Sequence, residues 1–526
     1  MSMGGAGAWC AGIVLLATAG GASAQVWRSD QGDGTFRNPV LYADYPDPDI
    51  IRVGSDYYFV TTTFANAPGL TILHSKDLVN WQLYSHVVPR LDGLPQYDLK
   101  DGDAYRKGLF AASLRHHHGM FYIVVTPVGQ NTRVYYARDL RGPWKFNQLD
   151  RVAFDPGFFI DSDGTGYIAT ASTADGTITL LTLDKGFRNI IASRKIHYIK
   201  GGEGSKIIRR GDWYYLFNSI PPRLGLTVSR ARGLFGPWET RNQIDDKTGG
   251  HQGALVDLPG GEWFGFVMVD AGSIGRMTNL SPIFWRDDWP VWGTPDAPER
   301  VPARARKPVP GFAFSEPATS DDFTRPRLGL QWQWNHNPDN TRWSLGERPG
   351  FLRLRPTVSD GFWTARNTLT QKGQGPRSHA VVKLDISNVR TGDRCGFGTL
   401  GQYSANIAVS RNELGNPYLS MAVLESRQEG PKTDLRVAEQ PISGKTVWLG
   451  IDADFTTDRG TLSYSLDGRR WTDLGGTFPL AFAWRTGTFQ GEQFAIFCYN
   501  PKPSTGFLDV DSFTLSGRAP ASEARR

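Results

Sequence analysis

Asp47, Phe110, Asp155, Glu203 and His251 stand 10 to 12 residues ahead of five aromatic positions, Tyr57, Phe121, Tyr167, Tyr214 and Trp263. Three carboxylates in equivalent places repel one another and cost stability, so packing alone would favour small or apolar residues there. Their chemistry suits cleavage of a glycosidic bond. That reaction needs one carboxylic acid to protonate the leaving oxygen and one carboxylate to activate the attacking group, with surroundings that set their pKa values apart. A third carboxylate keeps the acid protonated near neutral pH, because a neighbouring negative charge raises its pKa. An aromatic wall supplies the apolar platform on which a sugar ring stacks.

Residues this far apart need a scaffold that returns to one axis, and the aromatic positions mark it. Each belongs to a turn followed by an aromatic strand: Gly54-Ser55-Asp56-Tyr57-Tyr58, Gly119-Met120-Phe121-Tyr122, Asp163-Gly164-Thr165-Gly166-Tyr167, Gly211-Asp212-Trp213-Tyr214-Tyr215 and Gly260-Gly261-Glu262-Trp263-Phe264. The steps between the five aromatics are 64, 46, 47 and 49 residues. A near-constant period of this length predicts a propeller of five blades, each a small antiparallel sheet. A second unit follows in the same order in three copies, ending at Trp81, Trp144 and Trp238, and these tryptophans are expected in the core between blades. In a propeller the innermost strand of each blade runs along a central channel, which brings the five upstream residues to one mouth.

The stretches Asn38-Pro39-Val40-Leu41, Tyr45-Pro46-Asp47-Pro48-Asp49 and His74-Ser75-Lys76-Asp77-Leu78 closely resemble glycoside hydrolase family 43, five-bladed propeller β-xylosidases, α-L-arabinofuranosidases and arabinanases. The resemblance continues through Asp155-Pro156-Gly157, Gly202-Glu203-Gly204, His251-Gln252-Gly253 and Gly275-Arg276. It implies that Asp47 is the general base, Glu203 the general acid, and Asp155 the residue that raises the pKa of Glu203 and holds it in position, with inversion at the anomeric carbon. It also implies Phe64 and Phe110 as walls of a sugar pocket, Arg276 and His251 as contacts to substrate hydroxyls, and Ca²⁺ on the propeller axis beside His251 as a possible ion, none being required for the chemistry. Two motifs depart from the family pattern. Phe110-Ala111-Ala112 stands where Trp-Ala-Pro is common, and Ser205 follows Glu203-Gly204 where Pro is common. Both bear on the substrate more than on the reaction class.

The 526 residues leave room for a second domain. Residues 301–318 read as a linker rich in Pro, Arg and Ala, between a propeller at 25–300 and a domain at 319–526 whose short alternating strands, such as Phe351-Leu352-Arg353-Leu354, predict a β-sandwich. The expected fold is therefore all-β, a five-bladed β-propeller followed by a jelly-roll sandwich that resembles the concanavalin-like domain of some family β-xylosidases. In those relatives a sandwich loop helps close the pocket, which favours action at chain ends. The resemblance thus implies an exo-acting hydrolase that releases xylose or arabinose from plant cell-wall oligosaccharides or polysaccharides. The alternatives are an endo-arabinanase and a non-catalytic carbohydrate-binding protein on the same scaffold.

Residues 1–24 carry an apolar run, Ala8 to Thr18, and an Ala22-Ser23-Ala24 cleavage pattern, although Lys and Arg are absent from their start. They predict export, periplasmic or extracellular, with no membrane association after removal. The formal charge of +6, from 58 basic and 52 acidic residues, is too scattered to argue for nucleic acid. Once Cys10 is removed, Cys395 and Cys498 remain, either bridged or as buried thiols. His116-His117-His118 would point to alternating faces of a strand and cannot share one metal. Asp161-Ser162-Asp163-Gly164 opens like a calcium loop but lacks the later acidic ligands, so a hairpin turn is expected.

Overall fold

The five aromatic positions lie in the second strands of five antiparallel sheets, four with four strands and one with five. A computed structural model of the protein describes residues 26–221, 224–244, 250–425, 435–483 and 488–517; the expected export signal, 1–24, lies outside the described residues. The innermost strands of the five blades are Asp49–Val53, Leu109–His117, Gly157–Ile160, Glu203–Arg210 and His251–Asp257, each paired with the aromatic strand that follows it. In the first blade Val53 pairs with Asp56 across a two-residue turn, where Gly54 adopts φ +63°. A tight hairpin of this kind matches the right-handed twist of its strands only with positive φ, which glycine supplies without steric cost.

The repeated tryptophans follow the expected plan unevenly. Trp81 is fully buried and meets Phe59 and Phe266 edge to face at 5.7 and 5.9 Å, joining the first blade to the fifth. Trp144 and Trp238 are only partly buried against their clusters. The repeat extends to single hydrogen bonds: Trp81 Nε1 donates to the carbonyl of Leu78, and Trp144 Nε1 to that of Leu140. Asp161–Gly164 forms a turn closed by Gly164 N–H on the Asp161 carbonyl.

The ring closes where the chain enters and leaves it. Thr35–Arg37 pairs with Arg304–Arg306, so part of the stretch read as a linker is strapped to the opening strand. Asn38 fastens the same seam. Its amide donates to the carbonyls of Leu280 and Pro302 and accepts the Leu280 N–H.

The second unit is a sandwich of two sheets around one large apolar core that includes Val382, Phe397, Ile451 and Phe513. Alternation along Arg377–Asp385 sends Ala380, Val382 and Leu384 inward and leaves Arg377, Val381 and Lys383 less buried, as a half-solvated sheet requires. Cys395 and Cys498 face each other on neighbouring strands and are joined as a disulfide. The two units share a sheet: Asn66–Ala67 of the propeller pairs with Gln333–Asn335 at the edge of the larger sandwich sheet.

Candidate active site

The innermost strands deliver their N-terminal ends to one mouth. Glu203 and His251 open their strands, Phe110 is the second residue of its own, and Asp47 and Asp155 stand two residues ahead of theirs. Both aspartates adopt positive φ, +55° and +44°, a conformation that Asp tolerates better than most residues and that lies outside the strand geometry following each of them. With Phe64 and Arg276 they line a cavity of about 370 Å³, so all seven residues singled out from the sequence come together in one pocket.

Asp47 is almost completely buried and well held. Thr62 Oγ1 donates to its Oδ2 at 2.6 Å, Arg276 Nη1 stands 3.4 Å from Oδ1, and its own N–H points at Met268 Sδ, 3.2 Å away. A carboxylate with one hydroxyl donor and one guanidinium keeps lone pairs free to receive a proton from water. Glu203 is bound differently, by the Thr173 hydroxyl, which donates to its Oε2. Burial pushes Glu203 above the ordinary carboxylate range; the Thr173 hydrogen bond works in the opposite sense, and the charge of Asp47 adds to the rise. Asp155 is pushed well above that range, first by burial and then by the charges of Glu203 and Asp47. The neighbouring carboxyls cannot all ionise at low cost, so the Asp155–Glu203 pair retains a proton at pH values where free carboxyls have lost theirs.

Below the mouth the protein supplies its own cations. Lys206 Nζ donates to the Pro48 carbonyl at 2.9 Å and stands 3.3 Å from Asp49 Oδ1, while Arg115 Nη1 is 2.9 Å from Asp49 Oδ2. His251 is spoken for on both sides, with Nδ1 3.0 Å from Ser219 Oγ and Nε2 3.2 Å from Asp270 Oδ1. An imidazole that accepts from Ser219 and donates to Asp270 has no lone pair left for an ion, and calcium prefers six to eight oxygen donors. Among the described residues no group of three or more His, Cys, Asp or Glu side chains could hold a metal ion. The residues around His251 therefore do not fit an axial calcium. Its role as a direct contact to substrate is equally constrained, because both ring nitrogens already have protein partners.

The aromatic wall spans both units. Phe64 is 2% exposed and its ring is covered by Phe489 from the sandwich, while Phe110 meets both edge to face at 5.2 and 5.3 Å. Arg276 Nη2 donates to the Phe489 carbonyl at 3.1 Å, and its guanidinium lies 5.3 Å from the centre of the Phe64 ring. Asp44, also buried, accepts the N–H of Arg276 on one oxygen and that of Gly491 on the other, clamping the arginine and the sandwich loop together. Phe489, Phe482, Thr173 and Asp270 were not singled out from the sequence. Asp270 alone has a local signal, as the last residue of an aromatic strand, opposite Arg276.

Residues 36–290 match the family described as Glycosyl hydrolases family 43, and residues 320–516 the Beta xylosidase C-terminal Concanavalin A-like domain. The chain is 30% identical to a beta-xylosidase of Formosa agariphila, over 93% of this chain and 92% of that one. It is 33% identical to a non-reducing end alpha-L-arabinofuranosidase of Bacteroides ovatus, over 62% of this chain and 65% of that one. A solved structure described as a bifunctional GH43-CE protein of Bacteroides eggerthii superposes with a TM-score of 0.84 at 34% identity, covering 92% of this chain and 64% of the other.

Proposed function

The chain belongs to glycosyl hydrolase family 43, and from that premise we propose that it is an exo-acting, inverting β-D-xylosidase or α-L-arabinofuranosidase that releases xylose or arabinose from hemicellulose-derived oligosaccharides. The observation that carries this reading is the convergence of Asp47, Asp155 and Glu203 in one aromatic-walled cavity roofed by the sandwich loop. Such a roof is the support for reading the substrate as a terminal sugar. In this mechanism Glu203 gives its proton to the glycosidic oxygen as the bond to the anomeric carbon breaks. Asp47 takes a proton from a water that attacks that carbon from the opposite face, and the sugar leaves with inverted configuration. Asp155 shares with Glu203 the proton that the buried pair retains before the step. Arg276, 3.4 Å from Asp47 Oδ1, orients that carboxyl and faces the sugar. The cleavage pattern at Ala22-Ser23-Ala24 supports export, which would bring the enzyme to oligosaccharides outside the cytoplasm.

The test is the initial rate on 4-nitrophenyl β-D-xylopyranoside and 4-nitrophenyl α-L-arabinofuranoside, with proton NMR of the first-formed anomer. Turnover of either that is lost in Asp47→Ala, with release of the opposite anomer, supports the proposal. Release of the retained anomer would overturn inversion, and turnover of neither would overturn the substrate class.

A further inference from the structure

We propose that Gln252 is a substrate-contacting residue of this pocket, its side-chain amide reading a hydroxyl of the bound sugar beside Glu203. The proposal rests on the reading of the cavity as a glycosidase site and adds a recognition element to it.

Four observations converge on this residue. Gln252 is 2% exposed and lines the cavity with Glu203 and His251. Its amide Nε2 is buried without a hydrogen-bond partner. It is placed there by a break in register: His251 pairs with Met268 and Gly253 with Val267, so Gln252 is the extra residue of a bulge at the head of the innermost strand of the fifth blade. Bulges of this kind re-aim a side chain next to a functional site. Finally, Gln252 sits at φ +35°, and the neighbouring acid motif leaves room for it, because a Cβ on Gly204 would stand 3.0 Å from the Gln252 Cδ.

An unpartnered buried amide and a left-handed glutamine both cost stability, and an apolar side chain in a regular strand would avoid both costs. The arrangement makes sense when a ligand supplies the missing partner. A sugar hydroxyl is a matching one, since it donates and accepts, as does a primary amide. The surrounding groups are less versatile. Arg276 can only donate, and ionised Asp47 can only accept.

The experiment compares full-length wild type with Gln252→Leu, which keeps the bulk and removes the hydrogen bonds. Steady-state kinetics use 4-nitrophenyl β-D-xylopyranoside and its 2-, 3- and 4-deoxy analogues, and calorimetric titration uses free D-xylose and L-arabinose. Gln252→Leu should lower kcat/KM on the parent about tenfold or more, and on one deoxy analogue the two proteins should converge. Sugar binding should weaken by a similar factor. Equal losses on the parent and all three analogues, or none, would overturn the proposal and leave the glycosidase reading intact. A wild type that binds sugar but hydrolyses neither this xyloside nor 4-nitrophenyl α-L-arabinofuranoside overturns the catalytic reading, and the titration then still decides Gln252. Wild type that neither binds nor hydrolyses overturns both. Should Gln252→Leu fail to fold, Gln252→Ala, which removes bulk, replaces it in the same comparison.

Discussion

The Phe489 ring lies over that of Phe64 with planes 13° apart and centroids at 5.4 Å, so a residue of the sandwich forms the inner surface of a pocket built by the propeller. A stacked aromatic contact at a desolvated site is worth more than its buried area.

Phe489→Ala should therefore open the roof and expose Phe64. We expect kcat/KM to fall by about 10- to 100-fold, the size of losing one large apolar contact at a recognition site. The loss should lie mainly in KM, measured on a 4-nitrophenyl glycoside.

Removing the proposed acid should show in the leaving group. Glu203→Ala should cost about 10²- to 10⁴-fold in kcat on a natural disaccharide, whose alkoxide must be protonated. The same variant should retain much more of its rate on 4-nitrophenyl glycosides, because nitrophenolate departs unaided. Equal losses on both substrates would remove Glu203 from the acid role.

The raised carboxyls predict a pH dependence with a definite sign. Because Asp155 and Glu203 are held above their ordinary values, mainly by burial, activity should fall on the alkaline limb as the pair loses its last proton. Stability follows the same proton. A raised folded-state pKa contributes fully below the unfolded value and is lost as pH rises through the folded one. Asp155→Asn should accordingly raise the melting temperature at neutral pH, gain little at pH 4, and lower kcat at both, measured by calorimetry and initial rates.

Asp49 is the anchor beneath the catalytic layer. It receives Ser113 Oγ at 2.7 Å, the Leu114 N–H at 2.8 Å, Arg115 at 2.9 Å and Lys206 at 3.3 Å. Asp49→Ala would leave the Lys206 ammonium buried without its partner, at a cost of about 3–5 kcal/mol. Chemical denaturation should show a lower midpoint with an unchanged slope.

What could be read from the amino-acid order was what repeats locally. A turn, an aromatic strand and a tryptophan recur within each blade, and the inner-strand position is a fixed count from the aromatic, so Asp47, Asp155 and Glu203 could be placed at one mouth before any coordinates. Pairings between distant segments leave no such trace. Phe489 meets Phe64 across 425 positions, and nothing in its neighbourhood marks it. The pairing of Cys395 with Cys498 depends on the register of strands 103 residues apart, which left bridge and thiol equally open. Arg304–Arg306 is too short to show periodicity and gains its order only from Thr35–Arg37. Gln252 was visible as part of a motif, but its isolation follows from a bulge that alternation cannot reveal.

The strand Asn66–Ala67, lent by the first blade to the sandwich sheet, bears on how the chain matures. A nascent polypeptide can assemble its blades soon after residue 306 leaves the ribosome, yet the pocket lacks its roof until Phe489 has been made and docked. The covered pocket is then complete only once Phe489 stands over Phe64. A chain that stops short of Phe489 would leave Phe64 uncovered and the pocket open on the sandwich side.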